Sequence, residues 1–185
     1  MKTSILAALL LALSMNAAAV DAPKVAGIKP LATIAALDVP RYMGTWYEIA
    51  KFDNRFQKKC IGFTTATYSA MPDGTVQVVN RCRGSNGETI EAIGAARQIG
   101  NASSPKLKVR FAPAILSFLP MVWGDYWVVD LDPQYQLAAV SEGKREYLWI
   151  LARTPTVDRA AYDALVARLA GQGLDVRKLV PTQQQ

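Results

Sequence analysis

Between Gly44 and Arg153 the chain is broken into short runs rich in β-branched and aromatic residues, each bounded by Gly, Pro, Asn or Asp. This punctuation constrains the fold more than any other feature. Eight runs can be read, at 45–52, 62–70, 75–83, 88–98, 106–112, 125–131, 135–141 and 147–153. Asp73-Gly74 and Asn86-Gly87 are hairpin signals, because a tight primed turn needs the positive φ that these residues tolerate. In the fifth run Lys106, Lys108 and Arg110 alternate with Leu107, Val109 and Phe111, giving one wet and one dry face. Consecutive strands joined by tight turns are antiparallel neighbours, and eight of them can close on themselves and leave no edge. The expected fold is all-β, an eight-stranded antiparallel up-and-down barrel whose interior is filled or holds one small ligand.

Two segments break the pattern. Residues 113–124, PAILSFLPMVWG, are apolar nearly throughout but carry Pro113, Pro120 and Gly124, so they form a greasy connection rather than a central strand. Past Arg153 the period changes: Ala161, Tyr162, Leu165, Val166 and Leu169 recur at helical spacing, which predicts one C-terminal α-helix packed outside the barrel. Thr156 suits its N-cap, Asp158 its first turn, and Gly171 or Gly173 its end. Residues 20–41 read as an extended lead-in. LDVRKLV has the pattern of a short added strand, and 181–185 reads as a frayed tail.

The chain has 185 residues, 51% hydrophobic and 19% charged, which suits one domain with a buried core. Net charge is +6, but Lys and Arg occur singly or in pairs such as Lys58-Lys59, with no block that would track a nucleic-acid backbone. Histidine is absent, which removes nucleophiles activated by histidine and histidine-ligated zinc or haem. Glu88 with Glu91, or Asp130 with Asp132, can be drawn as catalytic pairs, but any surface with 15 carboxylates offers such pairs. No cofactor, no metal and no catalysis are expected.

Residues 1–19 have a basic start at Lys2, an apolar run from Ile5 to Leu13 and a small-residue end at Ala17-Ala18-Ala19, the pattern of a secretory signal peptide. The run is too short to span a bilayer. An exported, periplasmic protein is expected, with outer-membrane association or secretion as alternatives. Cys60 and Cys82 are then expected to pair in an oxidising compartment, the other reading being two buried free thiols.

GTWYEIAKF with Gly44 and Trp46, GDYWVVDLD with Asp125 and Tyr126, and YLWILARTP with Arg153, in this order and followed by a helix, resemble the lipocalins, and among them the bacterial lipocalins. The resemblance runs from Tyr42 to Val180. It implies that Trp46 plugs the closed end of the barrel, Arg153 lies over it, and Gly44 clears the approach. From that anchor, strand parity turns Glu48 and Ala50 inward, and with them Tyr147, Trp149 and Leu151. Val109 and Phe111 are expected inward in the fifth run. In the sixth, composition favours Trp127, Val129 and Leu131, whereas the resemblance favours Tyr126 and Val128. The implied function is non-covalent carriage of a small hydrophobic ligand, a fatty acid or lysophospholipid, with Trp149, Leu151 and Phe111 around its chain. Phe118 and Trp123 sit in the candidate gate, which is also a candidate lip for transient contact with a membrane surface. Bacterial lipocalins often carry a lipidated cysteine at the cleavage site, where this chain has alanines. The rival readings are a filled barrel serving as a protein-interaction or inhibitor module, an outer-membrane barrel, and an enzyme built on the same fold.

Overall fold

The structure is a computed structural model that describes residues 29–184. The signal segment expected over 1–19 and the start of the lead-in lie outside the described residues. A four-residue helix, α1 (Val39–Tyr42), opens into β1 (Gly44–Phe52). Then follow β2 (Cys60–Ala70), β3 (Val76–Gly84), β4 (Thr89–Gln98), β5 (Lys106–Arg110), β6 (Gly124–Leu131), β7 (Leu137–Ser141) and β8 (Leu148–Ala152). After them come α2 (Arg159–Gly171) and the short β9 (Leu179–Pro181). Each strand from β2 to β7 pairs antiparallel with the next, and β1 closes the circle by pairing with both β8 and β2. The connections after β1, β3, β5 and β7 therefore leave one end of the barrel, and those after β2, β4, β6 and β8 leave the other.

The hairpins form where the turn dipeptides stand: Gly74 and Gly87 adopt φ of +79° and +84°. Strands β4, β5, β7 and β8 are shorter than read. β5 stops at Arg110, so Phe111 falls in the connection, and β7 begins at Leu137, because Asp132 caps the preceding turn through the N–H groups of Gln136 and Leu137. The cap of α2 is Asp158, whose carboxylate accepts from Ala161 N at 2.9 Å, in place of the expected Thr156. Gly173, at φ +81°, takes the left-handed position just past its end.

Two apolar clusters divide the inside from the outside of the wall. The inner one gathers Leu37, Trp46, Tyr68, Val76, Val78, Leu107, Val128, Val140 and Leu151. The outer one joins Ala50, Phe52, Val129, Ala139, Leu148 and Ile150 to Leu165 and Leu169 of α2. The lead-in is fixed at the closed end: Leu37 is 2% exposed in the inner cluster, and Ile34 N donates to the Val128 carbonyl at a β6 bulge.

Residues 181–184 are not frayed, and residue 185 lies outside the described residues. β9 pairs with β1 through Ala50–Pro181, Lys51–Val180 and Phe52–Leu179. Residues beyond it lie between β1 and β2 where those strands diverge past Tyr47. Thr182 N donates to Ile49 O, Phe63 N donates to Gln183 O, and the Gln184 amide donates to both Glu48 O and Thr64 O. Gly62 makes room for this: at φ +152° it has no side chain, and a Cβ there would fall 2.8 Å from Gln183 O. The sequence signal was Gly62 itself, which opens a β-rich run with no turn partner beside it.

Candidate ligand site in the barrel

At the closed end Trp46 is fully buried and donates its indole N–H to Tyr42 O at 2.9 Å. Arg153 covers it, with its guanidinium carbon 4.0 Å from the ring centre, and donates to the carbonyls of Thr45, Arg41 and Tyr135. Gly44 has φ +93°, and a Cβ there would lie 3.3 Å from Arg153 Nη1. A second cation–π pair, Arg41 over Tyr135 at 4.0 Å, flanks this cap and was not foreseen.

Above Trp46 the core is a chain of phenols. Tyr126 OH lies 2.9 Å from both Tyr42 OH and Tyr68 OH, so three otherwise orphaned hydroxyls satisfy one another. Burial holds all three in the neutral form: it pushes Tyr68 up to about 12, and Tyr42 and Tyr126 well above the usual phenol value. Around them Leu37, Met43, Val78, Leu107 and Val109 leave an apolar cavity of about 20 Å³. That holds a water at most, so this lower half is packed.

The upper half carries smaller side chains. Ala66, Asn80 and Ala92 are register partners across β2, β3 and β4, and Val78 opposes Gly94. Val78 and Ala66 belong to the inner cluster, so this row faces inward with three positions no larger than alanine. Phe111, 43% exposed, lies against Gly94 and flanks the chamber from the connection. Trp149 faces in from β8 and stacks on Tyr147, ring centres 5.8 Å apart, while Phe56 lies 5.5 Å from Tyr147 on the rim.

Glu48 is the buried carboxylate of this region, 3% exposed. It accepts from Gln57 Nε2 and from Thr182 Oγ1, each at 2.6 Å. Gln57 in turn accepts from Trp149 Nε1 at 3.0 Å. Desolvation raises the Glu48 pKa above the usual carboxylate value, opposed by these two hydrogen bonds. The neighbouring Thr64 hydroxyl is buried and has no hydrogen-bond partner among the described residues. Gln57, Thr64 and Thr182 were missed because none of them lies on a strand whose parity the sequence anchors.

Parity from Trp46 places Glu48 correctly but fails at Ala50. A bulge between Glu48 and Ala50 reverses the face, and Ala50 packs in the outer cluster against α2. Tyr126, Val128, Leu151, Val109 and Trp149 belong to the inner cluster. In β6 the reading from the resemblance is met at both Tyr126 and Val128, whereas of the reading from composition Trp127 and Val129 face out and only Leu131, returned by a bulge after Val128, faces in. Trp123 does not face the interior. Its ring lies on the outer wall, 4.4 Å from the Arg97 guanidinium and 5.3 Å from that of Arg110. Phe118 is 74% exposed, in a connection that folds as two single turns, at Ala114–Leu116 and Pro120–Val122.

Cys60 and Cys82 are joined, with Cα atoms 5.6 Å apart, which ties the bulged start of β2 to β3.

Residues 37–184 match the family model of the lipocalin-like domain. The chain belongs to the lipocalin family. Lipocalins bind small hydrophobic ligands. This lipocalin is 44% identical over 158 residues to temperature-induced lipocalin-1 of Arabidopsis thaliana, covering 84% of each chain. It is 38% identical over 148 residues to the outer membrane lipoprotein Blc of Escherichia coli (strain K12), covering 80% of this chain and 79% of the relative. Among solved structures it resembles insecticyanin from the tobacco hornworm Manduca sexta, with a TM-score of 0.63 at 17% identity over 84% of each chain. That last likeness concerns the fold alone. The disulfide and the likeness to outer membrane lipoproteins suggest an exported protein.

Proposed function

We propose that this lipocalin carries a single-chain lipid, a fatty acid or a lysophospholipid, through the bacterial periplasm. The observation that carries the reading is the contrast between the two halves of the barrel. The lower half is closed by Trp46 and the phenol chain, whereas the upper half is lined by the small residues Ala66, Ala92 and Gly94, with Trp149 facing in from β8. An acyl chain entering from the rim would run past Tyr147, Trp149, Val109 and Phe111 and stop on Tyr126, Val128 and Leu151. Each buried methylene would contribute ~0.8 kcal/mol, enough for micromolar affinity from about a dozen after ordering costs. Glu48 and the unpartnered Thr64 hydroxyl give the polar end of the ligand hydrogen-bonding groups.

A second reading, a filled barrel that acts through its surface, is favoured by the small volume of the enclosed cavity, about 20 Å³. Native mass spectrometry of the protein from periplasm, without detergent, followed by lipid extraction, separates the two. A discrete added mass of a fatty acid or lysophospholipid, diminished in Trp149→Ala, is the expected result. A bare polypeptide whose tryptophan fluorescence is unchanged by added oleate or lysophosphatidylcholine favours the filled barrel.

A further inference from the structure

Two polar groups on the inner wall of the upper half are joined by a side chain that does not belong to that wall. Glu48 and Trp149 face the interior from the neighbouring strands β1 and β8. Gln57 reaches in from the connection between those strands' open end and β2, and bridges them. Its Oε1 accepts from Trp149 Nε1 at 3.0 Å, and its Nε2 donates to Glu48 Oε2 at 2.6 Å. The residues around it, Arg55, Phe56, Lys58 and Lys59, are exposed, so the carboxamide can leave without uncovering core. Asn54 Nδ2, which also donates to Gln57 Oε1, keeps the Phe52 carbonyl when it does.

The bridge fixes what can replace it. An indole N–H only donates, and an ionised carboxylate only accepts. A group that satisfies both carries an acceptor and a donor on adjacent atoms, as a carboxamide does and as an un-ionised carboxylic acid does. An ester brings the acceptor without the donor and leaves a buried carboxylate oxygen unpaired. A carboxylate brings acceptors alone and sets a second negative charge against Glu48. The cation nearby does not reverse this. The bulge that sends Ala50 outward turns Lys51 inward, opposite Trp149 in the register. Its ammonium lies 3.7 Å from Asp53 and also acts on Glu48, so an anionic head group would be the third negative group around one ammonium. The other elements around Glu48 bring Thr64, Thr182, Gln57 and Trp149, none of which titrates. Thr64, 8% exposed, has a hydroxyl with no hydrogen-bond partner among the described residues, and a buried hydroxyl of that kind marks a place where a polar group of a ligand belongs.

We propose that the Gln57 carboxamide holds the place of the ligand's head group, and that this place takes an acyl chain ending in a neutral carbonyl with a donor beside it, a carboxamide or an un-ionised carboxylic acid. The ligand carbonyl accepts from Trp149 Nε1 and its N–H or O–H donates to Glu48, while Gln57 turns out to water. The inference rests on the carriage proposed above and narrows its cargo. A fatty acid held in this way shares one proton between its carboxyl and that of Glu48, so its binding takes up a proton from solvent wherever both carboxyls are ionised when apart. Burial already holds Glu48 above the usual carboxylate value, the direction that favours the shared proton.

The test compares dodecanamide, dodecanoic acid and methyl dodecanoate, which share one chain, by equilibrium dialysis against the protein between about pH 6 and 8. The affinity for dodecanamide is expected not to fall over this range, and methyl dodecanoate is expected to bind about tenfold more weakly, because it leaves Glu48 unpaired. The affinity for dodecanoic acid is expected to fall as pH rises, approaching about tenfold per unit for one proton taken up. Glu48→Gln can turn a donor toward the ligand, so dodecanoate at the upper pH should bind this variant more tightly than the parent, and its pH dependence should disappear. Gln57→Ala removes the internal competitor and should tighten dodecanamide severalfold, since less of the free protein is in a blocked state. The near-ultraviolet circular dichroism of each variant checks that the fold persists. Equal affinity for the ester and the amide overturns the head-group assignment and leaves carriage standing. Dodecanoate bound as tightly at the upper pH as at the lower, and lost in Lys51→Met, overturns it in favour of an ion pair with Lys51. Binding of none of the three, by the parent or by Gln57→Ala, overturns carriage itself and this inference with it.

Discussion

The Arg153 guanidinium sits 4.0 Å above the centre of the Trp46 indole while its terminal nitrogens hold the Thr45 and Arg41 carbonyls at 3.0 and 2.8 Å. One side chain thus joins the end of β8, the start of β1 and α1. Arg153→Ala should cost about 2 kcal/mol, from the cation–π contact and the charged hydrogen bonds, discounted for partial exposure. Arg153→Lys should recover little of it, because a point charge cannot stack and reach two carbonyls together. Urea midpoints of the three proteins check this.

Tyr126 is the shared partner of two phenols. Tyr126→Phe leaves Tyr42 OH and Tyr68 OH buried without each other's bridge and should cost roughly 2 kcal/mol, whereas Tyr68→Phe removes only one end of the chain and should cost about half of that. Thermal unfolding of both variants gives the comparison.

Glu48 binds its proton more tightly in the folded protein than in the unfolded chain, since burial raises its pKa. Its contribution to stability is therefore full below the unfolded carboxylate value and is lost as pH rises through the higher folded one. Glu48→Gln, which keeps an acceptor for Gln57 and an amide for Thr182, removes that dependence. The unfolding free energy of the parent relative to the variant should fall as pH increases across this window and level off above it. Parallel curves would show that Glu48 is not the group responsible.

The disulfide closes a loop with a separation of 22 residues, for which the chain-entropy estimate is about 3 kcal/mol. Cys60→Ser with Cys82→Ser should lower the urea midpoint accordingly, and hydrogen exchange should rise first in the bulged start of β2.

Much of the fold was legible because turn dipeptides and alternating strands are local signals. Asp73-Gly74 and Asn86-Gly87 needed nothing beyond their own backbone preferences. The site was legible only as far as parity held. It held along β8, where Trp149 and Leu151 share the inner face, and failed at Ala50 and Leu131, where a bulge adds one residue and turns the face over. A bulge leaves little trace in composition. Trp123 was misplaced for another reason: an aromatic beside a barrel mouth can fold in or out, and the deciding partners, Arg97 and Arg110, lie on strands whose register the sequence does not state.

The wedge formed by Thr182, Gln183 and Gln184 sets an order of events. Thr182 meets Glu48 across 134 positions and Gln184 reaches it across 136, so the gap between β1 and β2 stays open until residue 184 is available. Until then Glu48 and the edge of β1 remain in contact with water, and the domain lacks one stave. In a chain that emerges N-terminus first, β1 would be complete long before the barrel, whose closure waits for residue 184.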